Sequence, residues 1–515
     1  MSGGDALPAV WPTVVHMLDA AARARPDALA LVCDDDALTY RQYAACVAAF
    51  ADELRAAGIG AGARVVLLMG NSADIAIATF GVQAAGAQVV PLNPGYTASE
   101  LAPMLADAAP AAVVFDSAVA SRVRPLLDAL AAQPIEIGPD ARRLTAWRDR
   151  PALADRLPLP DPQGLSTLQY TGGTTGRAKG VELTHRSVAI NVAQREALLP
   201  TAPDDERVLA ITPLFHVYAV SMGLYLAANC RATLVVVARY RPEAVLDAIA
   251  RHRITLLAAS PTILVGLMAC EAFGSTDLGA LRLCFSGSSA LPEATLRRWE
   301  SATGCPIAEG YGQSEAGPVL AFNPRHGVRK VGTVGVAVPQ TAIEIVDIES
   351  GGGPLAAGAA GEIRARGPQV MRGYRNLPAE TAEALRDGWL YTGDIGELDG
   401  DGYLTIRGRR KEMVIVGGYN VYPREVEEAL CTHPAVREAA AVGVPDAYRG
   451  EALVAAVVLA EGAAVTDGEL IEHLTARLVR YKLPREVRLV AELPKTGIGK
   501  VDKARLREAV VGSSG

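Results

Sequence analysis

Residues 168–180 read LQYTGGTTGRAKG. An apolar lead-in runs into threonines and glycines and closes on a lysine. Glycines let a backbone approach a ligand closely, hydroxyl and N–H groups donate to phosphate oxygens, and Lys179 adds a point charge. Taken alone, such a loop is as often an ordinary turn. A Walker-type P-loop needs G-x-x-x-x-G-K-[ST]. Here Gly173 is followed by Thr174-Thr175-Gly176-Arg177-Ala178-Lys179-Gly180, with Ala and Gly at the last two key positions, so that match fails.

Working outward from this loop, β-rich apolar runs alternate with segments of helical periodicity. Residues 65–69, 89–91 and 112–115 read as strands, and 74–85 and 99–108 as helices between them. The rhythm returns at 233–237, 243–250, 255–258, 262–272, 281–285 and 293–301. Such alternation predicts α/β units with mostly parallel sheets. From about Thr341 the pattern changes to short strands at 343–347, 361–365 and 403–406, separated by Gly-rich turns, which predicts an antiparallel sheet or a small barrel. After Gly408 comes a compact α+β tail: helices at 423–431 and 467–479, strands near 439–444 and 452–458. The expected organisation is therefore multi-domain, α/β and α+β overall. Residues 1–408 form a large N-terminal domain of two α/β lobes plus a small barrel-like sheet, and 409–515 a small C-terminal domain.

Composition limits the function. The 515 residues carry 50 Lys+Arg against 57 Asp+Glu, a net charge of −7, and no basic run, which argues against a nucleic-acid partner. Half the residues are hydrophobic and 21% are charged, enough apolar material for a sizeable core. Seven cysteines are scattered without C-x-x-C or ligand spacing, and the N-terminus lacks a basic and an apolar signal region. A reduced, cytoplasmic protein is expected. The uncharged apolar stretch 256–270 is too short to span a membrane and is broken by Ser260-Pro261, so it reads as a buried strand and helix.

Six further segments follow the loop in order. They are Pro213-Leu214-Phe215-His216-Val217-Tyr218; Ser286-Gly287-Ser288-Ser289-Ala290-Leu291-Pro292; Glu309-Gly310-Tyr311-Gly312-Gln313-Ser314-Glu315-Ala316-Gly317-Pro318; and Trp389-Leu390-Tyr391-Thr392-Gly393-Asp394. Then come Arg407-Gly408-Arg409-Arg410-Lys411-Glu412 with Gly417-Gly418-Tyr419-Asn420, and Leu493-Pro494-Lys495-Thr496-Gly497-Ile498-Gly499-Lys500. Together with the loop, this series resembles the AMP-forming acyl- and aryl-CoA synthetases of the adenylate-forming superfamily, over nearly the whole chain.

The resemblance implies an acid–thiol ligase. A carboxylic acid, fatty or aryl, is activated by ATP to acyl-AMP with loss of pyrophosphate, then transferred to CoA. Thr171, Gly172, Gly173, Thr174, Thr175, Gly176 and Lys179 would hold phosphates. Gly287, Ser288, Ser289, Glu309, Gly310, Tyr311 and Gly312 would bind ATP or AMP, with main-chain groups of the 286–292 turn meeting the adenine and Tyr311 stacking on it. Ser314 would donate to the α-phosphate and Glu315 would coordinate Mg²⁺. Asp394 and Arg409 would hold the ribose. His216 would position the carboxylate, and Phe215, His216, Tyr218, Ala316 and Gly317 would line the acyl pocket. Lys500 would be the catalytic lysine, Lys411 the hinge of a mobile C-terminal domain, and Gly417, Gly418 and Tyr419 the CoA side. Arg410 reads as a solvated charge. Partners are the acid, ATP and CoA, and a homodimer is compatible with the reading. The sequence departs from the family pattern at Ser314, where Thr is usual, and at Ala290, where Pro is common. Three alternatives stay open: a carrier-protein-loading adenylating enzyme, a luciferase-like oxidase and a non-catalytic nucleotide-binding relative.

Overall fold

The computed structural model describes residues 7–128, 130, 132–171, 178–416, 419–446, 448–496 and 500–512. Two large sheets dominate. The first has seven strands in the order Gly373–Tyr374, Lys179–Thr184, Leu165–Thr171, Gln88–Pro91, Arg64–Leu68, Ala112–Asp116, Gln133–Ile137. The last five are parallel, and the Lys179–Thr184 strand turns back antiparallel on Leu165–Thr171, with Thr171 opposite Lys179. The second sheet has nine strands. Its centre is parallel, from Leu29–Cys33 through Thr233–Val236, Arg207–Ala210, Leu256–Ala259 and Leu283–Ser286 to Ile307–Gly312. Antiparallel strands close both of its edges.

The lobes share one core. Helix Ala73–Ala84, ADIAIATFGVQA, is buried at every position; apolar residues predominate on all its faces, and its Asp74, Thr79 and Gln83 are hydrogen-bonded. Its Phe80 packs edge-on against Tyr43 on one side and Tyr225 on the other. Helix Tyr40–Ala56 starts at a capping box in which Thr39 and Gln42 exchange side-chain-to-backbone bonds, satisfying two otherwise orphaned N–H groups.

The Gly-rich region forms a third, five-stranded antiparallel sheet built on Gly361–Arg366 and Trp389–Leu398. No ladder joins its outer strands among the described residues, so it is an open sheet and not a barrel. The C-terminal sheet centres on the long pair Val436–Asp446 and Gly450–Leu459, with helix Pro423–Cys431 packed on one face and Lys503–Gly512 against the pair. Its apolar clusters contain no residue before Val414, the mark of a unit with its own core. Helix Asp467–Thr475 ends four residues before the expected 479.

Candidate active site

Parallel strands of an open α/β sheet place their carboxyl ends, and the loops that follow, along one edge where ligands bind. Four segments meet there. Strand Ile307–Gly312 delivers Tyr311, and the short turn Ser314–Ala316 follows it. Gly312 is required by close approach: a Cβ there would lie 2.0 Å from the Pro318 carbonyl oxygen. Asp394 arrives from Trp389–Leu398, and Arg409 from the strand paired with it, directly opposite in register.

These groups form one polar cluster. The Tyr311 hydroxyl donates to Asp394 Oδ2 at 2.7 Å, and Arg409 Nε lies 3.3 Å from Asp394 Oδ1. Burial pushes the Asp394 carboxyl up, opposed by Arg409 and the Tyr311 hydroxyl. Glu315 is likewise pushed up by burial, and its Oε1 accepts from the Tyr374 hydroxyl at 2.9 Å. The same Tyr374 ring lies under Lys179, whose Nζ is 4.8 Å from the ring centroid. Tyr374 thus links the cation after the phosphate loop to Glu315. The sequence reading missed it, and no motif spacing marks it.

Lys500 reaches this cluster from the C-terminal unit. The residues around it are pinned: Thr496 N–H donates to the Lys500 carbonyl at 2.7 Å, and Asp502 N–H to the Pro494 carbonyl at 2.8 Å. Nearby, Lys503 pairs with Glu412 at 2.8 Å and Glu427 at 3.0 Å. Burial and the neighbouring Arg409 bring the Lys500 ammonium down to about 8, with Asp394 acting in the opposite direction.

His216 caps the short helix Val217–Ala219, its Nδ1 accepting from Tyr218 N–H at 3.3 Å. Burial, and then Lys500, hold its ring near pKa 4. The imidazole is therefore neutral at physiological pH, and with Nδ1 accepting, the proton sits on Nε2 as a donor.

A small cavity lies beside Gly317 and is walled by Val89, Leu183, Val188, Leu214 and Val220, with no charged side chain. Gly317, one of the residues expected at the acyl pocket, lines this cavity. Tyr218 is buried. Its hydroxyl donates to the Phe285 carbonyl at 3.0 Å, and its ring covers Gly287, where a Cβ would meet Tyr218 Cε2 at 3.0 Å. Leu214 and Val217, which flank Phe215 and His216 in sequence, also line the cavity.

Two further residues have defined partners. Glu309 is buried and its Oε1 accepts from Leu291 N–H at 3.0 Å, bracing the turn in which Ser288 has φ +72°. Arg410 is not merely solvated. It donates to buried Glu362 at 3.0 Å, and Glu362 also accepts from Gly393 N–H. Gly310 packs under Phe322, while Ser289 is exposed and Lys411 lies in the turn Arg410–Glu412. Gly172, Gly173, Thr174, Thr175, Gly176, Gly417 and Gly418 lie outside the described residues. Tyr419 is exposed and stacks on Tyr481, with centroids 4.5 Å apart.

Residues 18–375 match the family model described as AMP-binding enzyme. The chain belongs to the AMP-binding enzyme family. Residues 425–500 of this AMP-binding enzyme match the model of the family's C-terminal domain. A long-chain-fatty-acid–CoA ligase of Bacillus subtilis is 36% identical over 98% of this chain and 95% of that protein. An indoleacetate–CoA ligase of Aromatoleum aromaticum is 36% identical over 96% and 97%. The crystal structure of the anthranilate CoA ligase AuaEII with anthranoyl-AMP superposes with a TM-score of 0.89 at 27% identity, covering 99% of each chain. Among the described residues of this AMP-binding enzyme, no helix is long and apolar enough to cross a membrane.

Proposed function

We propose that this AMP-binding enzyme is an ATP-dependent acid–thiol ligase, which joins a fatty or aryl monocarboxylic acid to CoA through an acyl-AMP. The observation that carries the reading is the convergence of Lys500, Arg409, Asp394 and Tyr311 beside a cavity with uncharged walls. The cations answer a charged reaction centre, and the uncharged cavity suits the body of an acid with no second carboxylate.

In the first step a carboxylate oxygen attacks the α-phosphorus of ATP. A new O–P bond forms as the bond to the β-phosphate breaks, and pyrophosphate leaves with the electron pair. Two anions must meet, so positioning and charge stabilisation supply most of the acceleration. Lys500 sits between the carboxylate and the α-phosphate, Lys179 meets the departing phosphates, and the Ser314 hydroxyl donates to an α-phosphate oxygen. Asp394 takes the ribose hydroxyls with Arg409 alongside. The neutral His216 offers Nε2–H to the acid, orienting it without removing a proton, since an ionised carboxylate has none to give.

Among the described residues, no group of three or more His, Cys, Asp or Glu side chains is placed to hold a metal ion. A single buried carboxylate, Glu315, fits Mg²⁺, which typically takes one or two protein carboxylates and completes its shell with water and substrate phosphates. Bound there, Mg²⁺ would neutralise charge on the pyrophosphate.

In the second step the CoA sulfur attacks the acyl carbonyl, the thiol proton is lost, and AMP leaves. Lys500 has no role in this step. We assign residues 1–408 to ATP and acid binding and 409–515 to a domain that turns about Lys411 between the steps, withdrawing Lys500 and presenting the Gly417–Tyr419 side. Acid-dependent pyrophosphate release over hexanoate, palmitate, benzoate, coumarate and malonate tests the reading. Release with an apolar monocarboxylate and not with malonate supports it; release with malonate alone refutes the substrate class.

A further inference from the structure

The segment 371–375 lies between the strand that carries Lys179 and the turn that carries Glu315, and its backbone bonds to both. Met371 N–H donates to the Glu315 carbonyl at 2.8 Å. Arg372 N–H donates to the Glu182 carbonyl at 2.9 Å, and Arg375 N–H to the Gly180 carbonyl at 2.8 Å. Between them Gly373 and Tyr374 pair antiparallel with Glu182 and Val181, as an edge strand of the first sheet. Lys179 belongs to that sheet, whereas Glu315 sits in the turn that follows a strand of the second. This one segment fixes the two against each other.

Tyr374 repeats the bridge with its side chain. Its hydroxyl donates to Glu315 Oε1 at 2.9 Å, while Lys179 Nζ lies 4.8 Å from its ring centroid. The residue is itself held at the backbone, where Tyr374 N–H donates to Thr381 Oγ1 at 2.9 Å. The two side-chain contacts differ in chemistry. The hydrogen bond orients a carboxylate that fits Mg²⁺, and partners of this kind typically change metal affinity by roughly ten- to a hundredfold. The ring face attracts an ammonium, an effect of about two- to fivefold at a partly exposed site. A phenylalanine keeps the second contact and loses the first, so the two can be separated.

We propose that Tyr374 is a positioning residue for pyrophosphate departure: its hydroxyl orients Glu315 for Mg²⁺, its ring seats Lys179, and the two groups are thereby held at a fixed separation across the leaving phosphates. The proposal rests on the ligase reading above and deepens it. Tyr374 acts through the carboxylate and the ammonium, not on the reacting atoms.

The test measures ATP binding by calorimetry without acid or CoA, once in EDTA and once with Mg²⁺, and takes the factor by which Mg²⁺ tightens ATP. The wild type should show a factor of about ten or more, and Tyr374→Phe should lose most of it while binding metal-free ATP as the wild type does. Tyr374→Leu should lose the same factor and also weaken metal-free ATP about threefold, because Lys179 is no longer seated. Unchanged metal-free binding in Tyr374→Leu would overturn the Lys179 part. A merely structural role would lower thermal stability or the active fraction and leave the factor alone. A wild-type factor in Tyr374→Phe, or no Mg²⁺ factor in the wild type, overturns the proposal and leaves the ligase reading, which stands on pyrophosphate release. If neither Tyr374 variant folds, Glu315→Gln decides. It keeps an acceptor for the Tyr374 hydroxyl and loses the charge, so a lost factor supports the proposal and an undiminished one overturns it. Pyrophosphate release with no acid at all would overturn the ligase reading, while the binding factors still decide the role of Tyr374.

Discussion

Lys500 works only while charged, and its surroundings bring its pKa down to about 8. The sign follows directly: a lysine with a depressed pKa carries its proton below that value and loses it above. About 90% of the free enzyme is in the charged form at pH 7 and only about 10% at pH 9. The kcat/KM for ATP reports free-enzyme ionisations, so adenylation should fall about tenfold per unit above pH 8. The charge itself is worth on the order of 4 kcal/mol at ~4 Å and an effective dielectric near 20, so Lys500→Ala should lose about a thousandfold in adenylation. Lys500→Arg keeps a charge at all accessible pH values and should lose the alkaline limb, though at a lower rate from altered geometry. Asp394 raises the Lys500 pKa, so Asp394→Asn should move the limb to lower pH. The assay is pyrophosphate release without CoA from pH 6.5 to 10. A wild-type profile flat between pH 7 and 9.5, or the same limb persisting in Lys500→Arg, would refute the reasoning.

Three further outcomes follow from the geometry. Glu309 is pushed up by burial from 4.5 to about 7, so it is neutral at low pH, and its ionisation opposes folding as pH rises through that window. Glu309→Gln, which keeps the acceptor for Leu291 N–H, should gain up to ~3 kcal/mol of unfolding free energy at pH 8 and almost nothing near pH 4.5; equal effects at both pH values in denaturant titrations would count against this. Lys411→Pro should spare acyl-AMP formation and impair thioester formation from supplied acyl-AMP, and equal loss in both half-reactions would sink the hinge assignment. Gly312→Ala must place a Cβ 2.0 Å from a backbone oxygen, so soluble expression or thermal stability should collapse; a wild-type melting curve would be the contrary result.

How much of this was legible depended on the kind of signal. Apolar runs flanked by helical periodicity, such as Arg64–Leu68 and Pro242–Arg251, read directly, because a parallel strand buried on both faces is continuously hydrophobic. The edge strand Gln133–Ile137, QPIEI, carried no such run and contains Pro134; only its position at the sheet edge tolerates it. Motif residues whose chemistry is charge, Lys500, Asp394 and Arg409, lie near one another as the segment order implied. Direction of side chains was not legible. Tyr218 donates to the Phe285 carbonyl and Glu309 accepts from Leu291 N–H, partners that motif spacing does not reveal. Tyr374 comes from a segment with no motif and is brought in only by tertiary packing.

The central claim is a two-step ligation, and product stoichiometry tests it most directly. The enzyme is mixed with ATP, Mg²⁺ and an apolar monocarboxylic acid, and nucleotide and acyl products are followed by mass spectrometry before and after CoA is added. The account predicts pyrophosphate and enzyme-bound acyl-AMP first, then acyl-CoA and AMP in equal amounts once CoA is present. ADP in place of AMP, or acyl-CoA formed without a preceding acyl-AMP, would contradict it.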